Sequence, residues 1–540
     1  MNSAATKRVG RAESPIVRRF MPFLLFVVAV LSVIAWHGAG RLFIFNDGCQ
    51  YLDAASGLES GRGLSIMVAH FDDQVAVGHF PIPFTHFAPG YPVLVAGLDA
   101  IGSSREFSAW TLSVLGFAIS VWLVYALAIA LGADLWAAVL MALLWAGNSG
   151  ALALASTAAT ETLFMAALLG SLLAVVYDVR DEGRYPGRLM VLGLVAAFAY
   201  LVRYAGLFVV PAGLFYIGWR GWRTRAARGW AAVSAATCAV ACAIVPVRNI
   251  LIAGDWRGGL TAGGGANGHS IREIAVESFK AAVHDVLGSN VPFRPDVWLL
   301  MVAAAGVAVA WFAWRSWKSS AVAAPRHLVV ALLWMGVFLG AYTGGIMLAV
   351  WRTIAFDLPR YLMPLYPAAL AGAAALAVAR TPRQRAAMIV LVAGITAVQW
   401  KSLRVPPLDF FAVTRAALDQ PVSPGVSARD WLREHTRVGE SIAGVNGQLL
   451  RCAVGEPVVA TIDPAFSARS SDADSYRALM RRYRARYFVV MPGVQEHVAP
   501  EQHLVPWMGD LVKGVAPGWL TPAFRTENVA AFECHSCVGE

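Results

Sequence analysis

The sequence predicts a polytopic α-helical membrane protein of about eleven transmembrane helices, followed by a small α/β domain outside the membrane. Three observations carry this reading. Of the 540 residues, 58% are hydrophobic and only 14% charged, against roughly a quarter charged in soluble proteins, so a large apolar surface must face lipid. Stretches apolar enough and long enough to cross a bilayer recur from Phe20 to Gln399. After about Leu403 the hydropathy falls and helix and strand signals alternate. The 49 glycines and 27 prolines are scattered through apolar stretches, as membrane helices tolerate. Disorder, collagen and a disulfide scaffold are excluded. The net charge of +10 reads as the positive-inside bias of a membrane protein, and nucleic acid is not an expected partner.

In chain order the expected spans are Phe20–Trp36, Phe107–Leu131, Leu135–Leu154, Glu161–Tyr177, Leu189–Leu201, Ala205–Trp219, Trp230–Val247, Val297–Trp314, Leu328–Val350, Tyr361–Val378 and Ala386–Gln399. Lys7, Arg8, Arg11, Arg18 and Arg19 precede the first span, and no small-residue cleavage site follows it. It therefore reads as a retained anchor with a cytoplasmic N-terminus. Threading onward, the inner connections carry Arg180, Arg184 and Arg188, then Arg220, Arg223, Arg225 and Arg228, then Arg315, Lys318 and Arg326, then Arg380, Arg383 and Arg385. Only the turn Gly132-Ala133-Asp134 departs from that bias. Residues 1–404 thus form the membrane domain, with long outer loops 38–106 and 248–296, and residues 405–540 form the outer domain.

Most polar residues that interrupt apolar sequence fall on the outer side of this threading. Asp47 follows the first span, Glu161 opens the fourth, Arg203 joins the fifth and sixth, Arg248 ends the seventh, and Asp357 with Arg360 opens the tenth. Charges beside hydrocarbon cost several kcal/mol unless paired or hydrated, so their gathering on one side points to a site. Each alone also fits an ordinary helix end: Asp47 and Thr160-Glu161 as caps, Arg203 in a turn.

The first outer loop reads Asn46-Asp47-Gly48-Cys49-Gln50-Tyr51, then Gly61-Arg62-Gly63, then His86-Phe87-Ala88-Pro89-Gly90-Tyr91-Pro92. Together with Ser156–Phe164, Leu201–Leu207, Pro246-Val247-Arg248-Asn249 and Arg360–Pro367, in that order, it resembles the GT-C glycosyltransferases, most closely the bacterial branch that holds the lipid A aminoarabinose transferase and the protein O-mannosyltransferases. The resemblance implies a GT-C fold. It also implies transfer of a sugar from a polyprenyl-phosphate carrier, the donor substrate, to a glycan, lipid or protein acceptor on the outer, periplasmic face of a bacterial inner membrane. Asp47 would be the general base. Arg203, Arg248 and Arg360 would hold the carrier phosphate, since guanidinium groups bind phosphate bidentately and keep their charge. Tyr51 and Tyr361 would serve donor sugar or phosphate, while Glu161, His86 and Asp357 would support the site or the acceptor. Many relatives have two adjacent acids where this chain has Asp47-Gly48, which weakens a metal-binding role. His70, His79 and His86 with Asp72 and Asp73 match no ligand spacing, so arginine clamping is expected ahead of a divalent ion. A transporter or flippase is the alternative, although no internal repeat or mid-span acid supports it.

In the outer domain, Ser427 opens a helix as a capping residue, followed by strands Ser441–Val445 and Val458–Ile462, a helix near Ser471–Tyr483 and strand Tyr487–Met491. Cys238 and Cys242 lie within a span, whereas Cys49, Cys452, Cys534 and Cys537 lie outside, where disulfides form. Cys534-His535-Ser536-Cys537 reads as a disulfide-bearing tail with its pairing open. Gly254–Gly268 reads as a flexible loop and Ile271–Leu287 as an amphipathic surface helix.

Overall fold

The computed structural model describes residues 15–69, 78–254, 256, 326–352, 358–376, 390, 394–395, 409–460, 472–491 and 506–538. Helix α1 (Pro15–His37) leads to α2 (Asn46–Glu59) in the first long loop, which α3 (Gly90–Asp99) closes. There follow α4 (Arg105–Ala130), α5 (Leu135–Ala146), α6 (Ser149–Ala155), α7 (Glu161–Arg180), α8 (Gly187–Val202), α9 (Val209–Arg223) and α10 (Arg228–Ala253). Then come α11 (Arg326–Arg352), α12 (Leu358–Leu362) and α13 (Leu365–Leu376). Among the described residues five helices are long and apolar enough to cross a membrane, or six if α5 and α6 form one bent span. The protein is a multi-pass membrane protein.

The helices fall on the expected spans, except that Val297–Trp314 and nearly all of Ala386–Gln399 lie outside the described residues, as do Ile271–Leu287 and most of Gly254–Gly268. The expected span Leu135–Leu154 is instead two helices bent by 61°, and Tyr361–Val378 is likewise divided, between α12 and α13. The cause of the bend is Asn148, whose side chain accepts from Ala151 N at 2.9 Å and starts a new helix.

Close backbone contact builds the bundle. Where α4 crosses α7, a Cβ on Gly116 would sit 2.7 Å from both Leu163 N and Thr162 C. Phe117, Trp145, Phe164, Tyr216 and Phe338 are fully buried around this crossing and its neighbours, and Trp145 Nε1 donates to Ser120 Oγ at 2.8 Å, so the buried indole leaves no donor unmet. At the far end of α7, Asp178 accepts from Tyr216 OH at 2.6 Å and pairs with Arg220 at 2.7 Å. These bonds tie two of the arginine-rich connections together.

The α/β part contains α14 (Phe410–Leu418), α15 (Ala428–His435), α16 (Gly447–Val454), α17 (Ala473–Arg482) and α18 (Pro506–Lys513). Strands β1 (Ser65–Ile66), β2 (Val68–Ala69) and β3 (Ile82–Pro83) come from the first long loop, and β4 (Pro421–Ser423) pairs with β5 (Val426–Ser427). The principal sheet adds β6 (Ser441–Gly444), β7 (Val458–Ala460), β8 (Ala485–Val490), β9 (Thr521–Arg525) and β10 (Ala530–Glu533), in the order β2-β7-β6-β8-β10-β9. The first four are parallel, and β10 is antiparallel to both of its neighbours, β8 and β9. Ser427 caps α15 as expected, accepting from Asp430 N at 3.1 Å.

The edge strand β2 belongs by sequence to the loop after α1, yet it completes this sheet by pairing with β7. Three further links join the same loop to the same domain. Cys49 forms a disulfide with Cys452, and Arg451 pairs with Asp53 at 2.9 Å. The rings of Phe80 and Tyr483 lie 5.2 Å apart. A single apolar cluster runs from Ile44, Tyr51 and Tyr91 into Ala443, Tyr476 and Phe488. Cys534 pairs with Cys537 in the tail.

Because backbone atoms oppose Gly116, Gly116→Ala should cost about 1–3 kcal/mol, read as a lower thermal midpoint of the purified protein. Gly97→Ala, where an added Cβ meets nothing within 4 Å, should leave that midpoint in place.

Candidate active site

Asp47 and Glu161 are distant in sequence, and a short backbone bridge brings them together. Phe43 N donates to Ser156 O at 2.7 Å and Ala158 N to Phe43 O at 3.1 Å, which pins the entry to α2 against the turn before α7. Gly48 permits this approach, because a Cβ there would lie 3.0 Å from both the Cβ and the oxygen of Ala158. A second acid at position 48 would collide with that turn. Both carboxylates sit in the first turn of a helix, Asp47 of α2 and Glu161 of α7, where the helix dipole favours negative charge. Neither helix takes a side-chain cap: Phe45 precedes α2 and Thr160 precedes α7 without capping bonds.

The two cations arrive from helix ends. Arg203 leaves α8 in extended backbone, φ −149° and ψ 130°, which turns its side chain back toward α7. Arg360 stands in α12. The Glu161 carboxylate, whose side chain is 1% exposed, is the common partner: Oε1 accepts from Arg203 Nη1 at 2.6 Å and from Arg360 Nε. Arg203 Nη1 also donates to Thr160 Oγ1 at 2.9 Å, and its guanidinium lies 4.7 Å from the centre of the Tyr361 ring. Arg360 reaches onward, with Nη1 donating to Asp47 Oδ2 at 2.8 Å. Two acids and two arginines thus form one chain, Asp47–Arg360–Glu161–Arg203. It is buried at Glu161 and opens at Asp47, whose side chain is 31% exposed.

Asp47 and Arg203 face a cavity of about 480 Å³ whose walls include Tyr51, His86, Phe87, Tyr200, Tyr204, Asn249, Trp256, Ile346 and Tyr361. Tyr51 stands edge-on to Phe87 and Tyr91. Burial, reinforced by the Asp47 carboxylate beside it, holds the Tyr51 phenol protonated well above its ordinary range. Burial pushes His86 down from 6.5 to about 4, so it lines the cavity as a neutral ring.

Of the residues singled out in the sequence, Asp47, Glu161, Arg203, Arg360, Tyr51, Tyr361 and His86 come together here. Asp357 lies outside the described residues. Arg248 does not face the cavity. Its Nη1 donates to Phe84 O at 2.9 Å and its Nη2 to Leu64 O at 3.1 Å, so it clamps the first long loop to α10. Asn249 and Trp256 also line the cavity without having been singled out in the sequence, and Tyr204, which the sequence reads as an interfacial anchor, lines it too. Asn249 adjoins Arg248 in the Pro-Val-Arg-Asn segment and donates toward Tyr204 OH at 3.4 Å; Tyr204 OH donates to Thr85 O at 2.9 Å; Trp256 follows α10. The adjacency of Asn249 to Arg248 is the one signal that marks it. Among the described residues no group of three or more His, Cys, Asp or Glu side chains is arranged to hold a metal ion.

Residues 86–247, which contain His86, Glu161 and Arg203, match the dolichyl-phosphate-mannose-protein mannosyltransferase family. Three solved structures share the architecture. ArnT from Cupriavidus metallidurans bound to undecaprenyl phosphate matches with a TM-score of 0.52 and 14% identity, over 96% of this chain and 99% of that one. The archaeal oligosaccharyltransferase AglB from Archaeoglobus fulgidus, in complex with an inhibitory peptide and a dolichol-phosphate, matches at 0.50 and 11%, over 88% of this chain and 70% of that one. The arabinofuranosyltransferase AftD from Mycobacteria matches at 0.51 and 15%, over 96% of this chain but only 40% of that one. No curated protein matches. The chain carries the GT-C fold that it shares with these structures, and over residues 86–247 its sequence resembles the mannosyltransferase family as well.

Removing the Glu161 charge leaves two guanidinium groups facing each other. Glu161→Gln should destabilise the protein by about 3–5 kcal/mol, seen as a lower thermal midpoint. His86 generates a pH dependence of known sign. Its folded value near 4 lies below the unfolded 6.5, so the unfolded chain takes up a proton first and stability falls as pH drops from 6.5 toward 4. Midpoints of His86→Gln measured across that window should fall less than those of the wild type.

Proposed function

We propose that this protein is a glycosyltransferase that moves a sugar from a polyprenyl-phosphate carrier to a hydroxyl of a glycan, lipid or protein at the outer face of a bacterial inner membrane. The observation that carries this reading is the Asp47 carboxylate at the wall of an aromatic cavity, linked through Arg360 and Glu161 to Arg203. The family match and the carrier phosphates bound by ArnT and AglB support it. A sugar on a carrier phosphate already has a good leaving group, so the reaction asks for little more than a base and positive charge.

In this reading the acceptor hydroxyl gives its proton to Asp47 while its oxygen bonds to the anomeric carbon. The bond from that carbon to the phosphate oxygen breaks, and its electron pair leaves on the carrier phosphate with inversion at carbon. Arg203 and Arg360 offset the charge that gathers there. Tyr51 and Tyr361 serve as ring surfaces or donors for the sugar, the neutral His86 adds a polar face, and Arg248 positions the loop that roofs the cavity. The transporter reading lacks comparable support, because the charged groups cluster at helix ends at one end of the bundle.

The test is reconstitution in vesicles with envelope lipid extract, followed by mass spectrometry of the acceptor fraction. Wild type should add one sugar mass to one species, and Asp47→Asn, folded to the same midpoint, should be about 10²- to 10⁴-fold slower. Full transfer by Asp47→Asn would remove Asp47 as base, and sugar crossing the vesicle without any acceptor gaining mass would favour the transporter.

A further inference from the structure

Among the described residues, the cations and anions that run from Asp47 to Arg203 cancel. Asp47 and Glu161 carry two negative charges, Arg203 and Arg360 two positive ones, and the four are joined in a continuous run of ion pairs. Among the described residues these arginines are the cations of that run, and His86 beside them is neutral. Among the described residues a carrier phosphate therefore meets a charge-balanced run, in which each cation is already held by a carboxylate.

The pairs differ in how readily they yield. Arg203 is 10% exposed at its side chain, shares the buried Glu161, bonds Thr160 Oγ1 and lies over the Tyr361 ring. The Arg360–Asp47 pair is 25% and 31% exposed, and its Asp47 member stands at the cavity wall with Arg360 directly behind it. Glu161 grips Arg360 through Nε, so the Nη edge can change partner while the Nε contact holds the side chain in place. The same Nη1 also occupies Asp47 Oδ2, the group that the reaction needs as base.

We propose that Asp47 and the donor phosphate compete for the Nη edge of Arg360, so that donor binding frees the Asp47 carboxylate to take the acceptor's proton. This rests on the glycosyltransferase reading of the same site and adds an order to it: donor first, acceptor second. No bond is made or broken in the exchange, only an ion pair traded. Arg360 is a shared partner with two positions, and Glu161 is its pivot.

Competition makes an unusual demand: removing the catalytic charge must strengthen carrier binding. Undecaprenyl phosphate is titrated calorimetrically into the full-length protein in nanodiscs, as wild type, Asp47→Asn, Arg360→Gln and the double variant, each checked for the same elution volume and thermal midpoint. Asp47→Asn should bind more tightly than wild type by about 5- to 150-fold, the usual span of coupling between two sites, and the gain should vanish in the Arg360→Gln background. Asp47→Ala is the second variant should the asparagine misfold. Equal or weaker binding by both Asp47 variants, or a gain that persists without Arg360, overturns the competition alone. Failure of the wild type to bind the carrier at all overturns the glycosyltransferase reading and the competition with it.

Discussion

One carboxylate organises the site. Glu161 is buried at the start of α7, and both arginines close onto the same oxygen. A buried anion at this depth is tolerable only with cations around it, and two buried cations are tolerable only with that anion between them. The arrangement fixes where α8 ends and where α12 sits relative to α7. It also leaves Asp47 as the outermost group, reached through Arg360 and turned toward the cavity. Without Glu161, Arg203 and Arg360 would repel, and neither the Tyr361 stack nor the reach to Asp47 would survive.

A second constraint holds the roof of the cavity. The loop after α1 is fastened from below by Arg248, which takes its Leu64 and Phe84 carbonyls, and from beside by the Tyr204–Thr85 bond. From above it is fastened by β7, Cys452, Arg451 and Tyr483. Asp47 is two positions from the disulfide and six from the Asp53 pair, on the same short helix. The placement of Asp47 thus depends on the α/β domain as much as on the bundle, although no described side chain of that domain lines the cavity.

The membrane part and the charged cluster were legible because each feature leaves a local mark. Apolar runs of bilayer length mark helices, and a charge at the end of such a run marks an interfacial position. Asp47, Glu161, Arg203 and Arg360 share one side because threading the runs puts their ends there. What stayed hidden depends on backbone atoms or on distant pairing. Arg248 reads as a phosphate ligand in sequence, yet its partners are carbonyl oxygens, which every residue has. The break inside Leu135–Leu154 comes from one asparagine whose capping bond forms only once the helix bends. Gly48 looks like a missing acid until Ala158 is seen against it. The pairings Cys49–Cys452 and β2–β7 join segments from opposite ends of the chain, and position outside the apolar spans alone could not choose among four cysteines.

The β2–β7 pairing has a bearing on how the protein is made. Val68 and Ala69 emerge early in synthesis, while Val458 and Val459 emerge only after the described helices of the bundle have been threaded. Until then the first loop has an open strand edge, an unpaired Cys49 and an unmatched Asp53. The sheet that includes β2 is consequently completed only when β7 is available to pair with it. A chain cut before Arg451 would keep α2 but lose the β7 pairing, the Cys452 disulfide and the Arg451 ion pair that fasten the helix bearing Asp47.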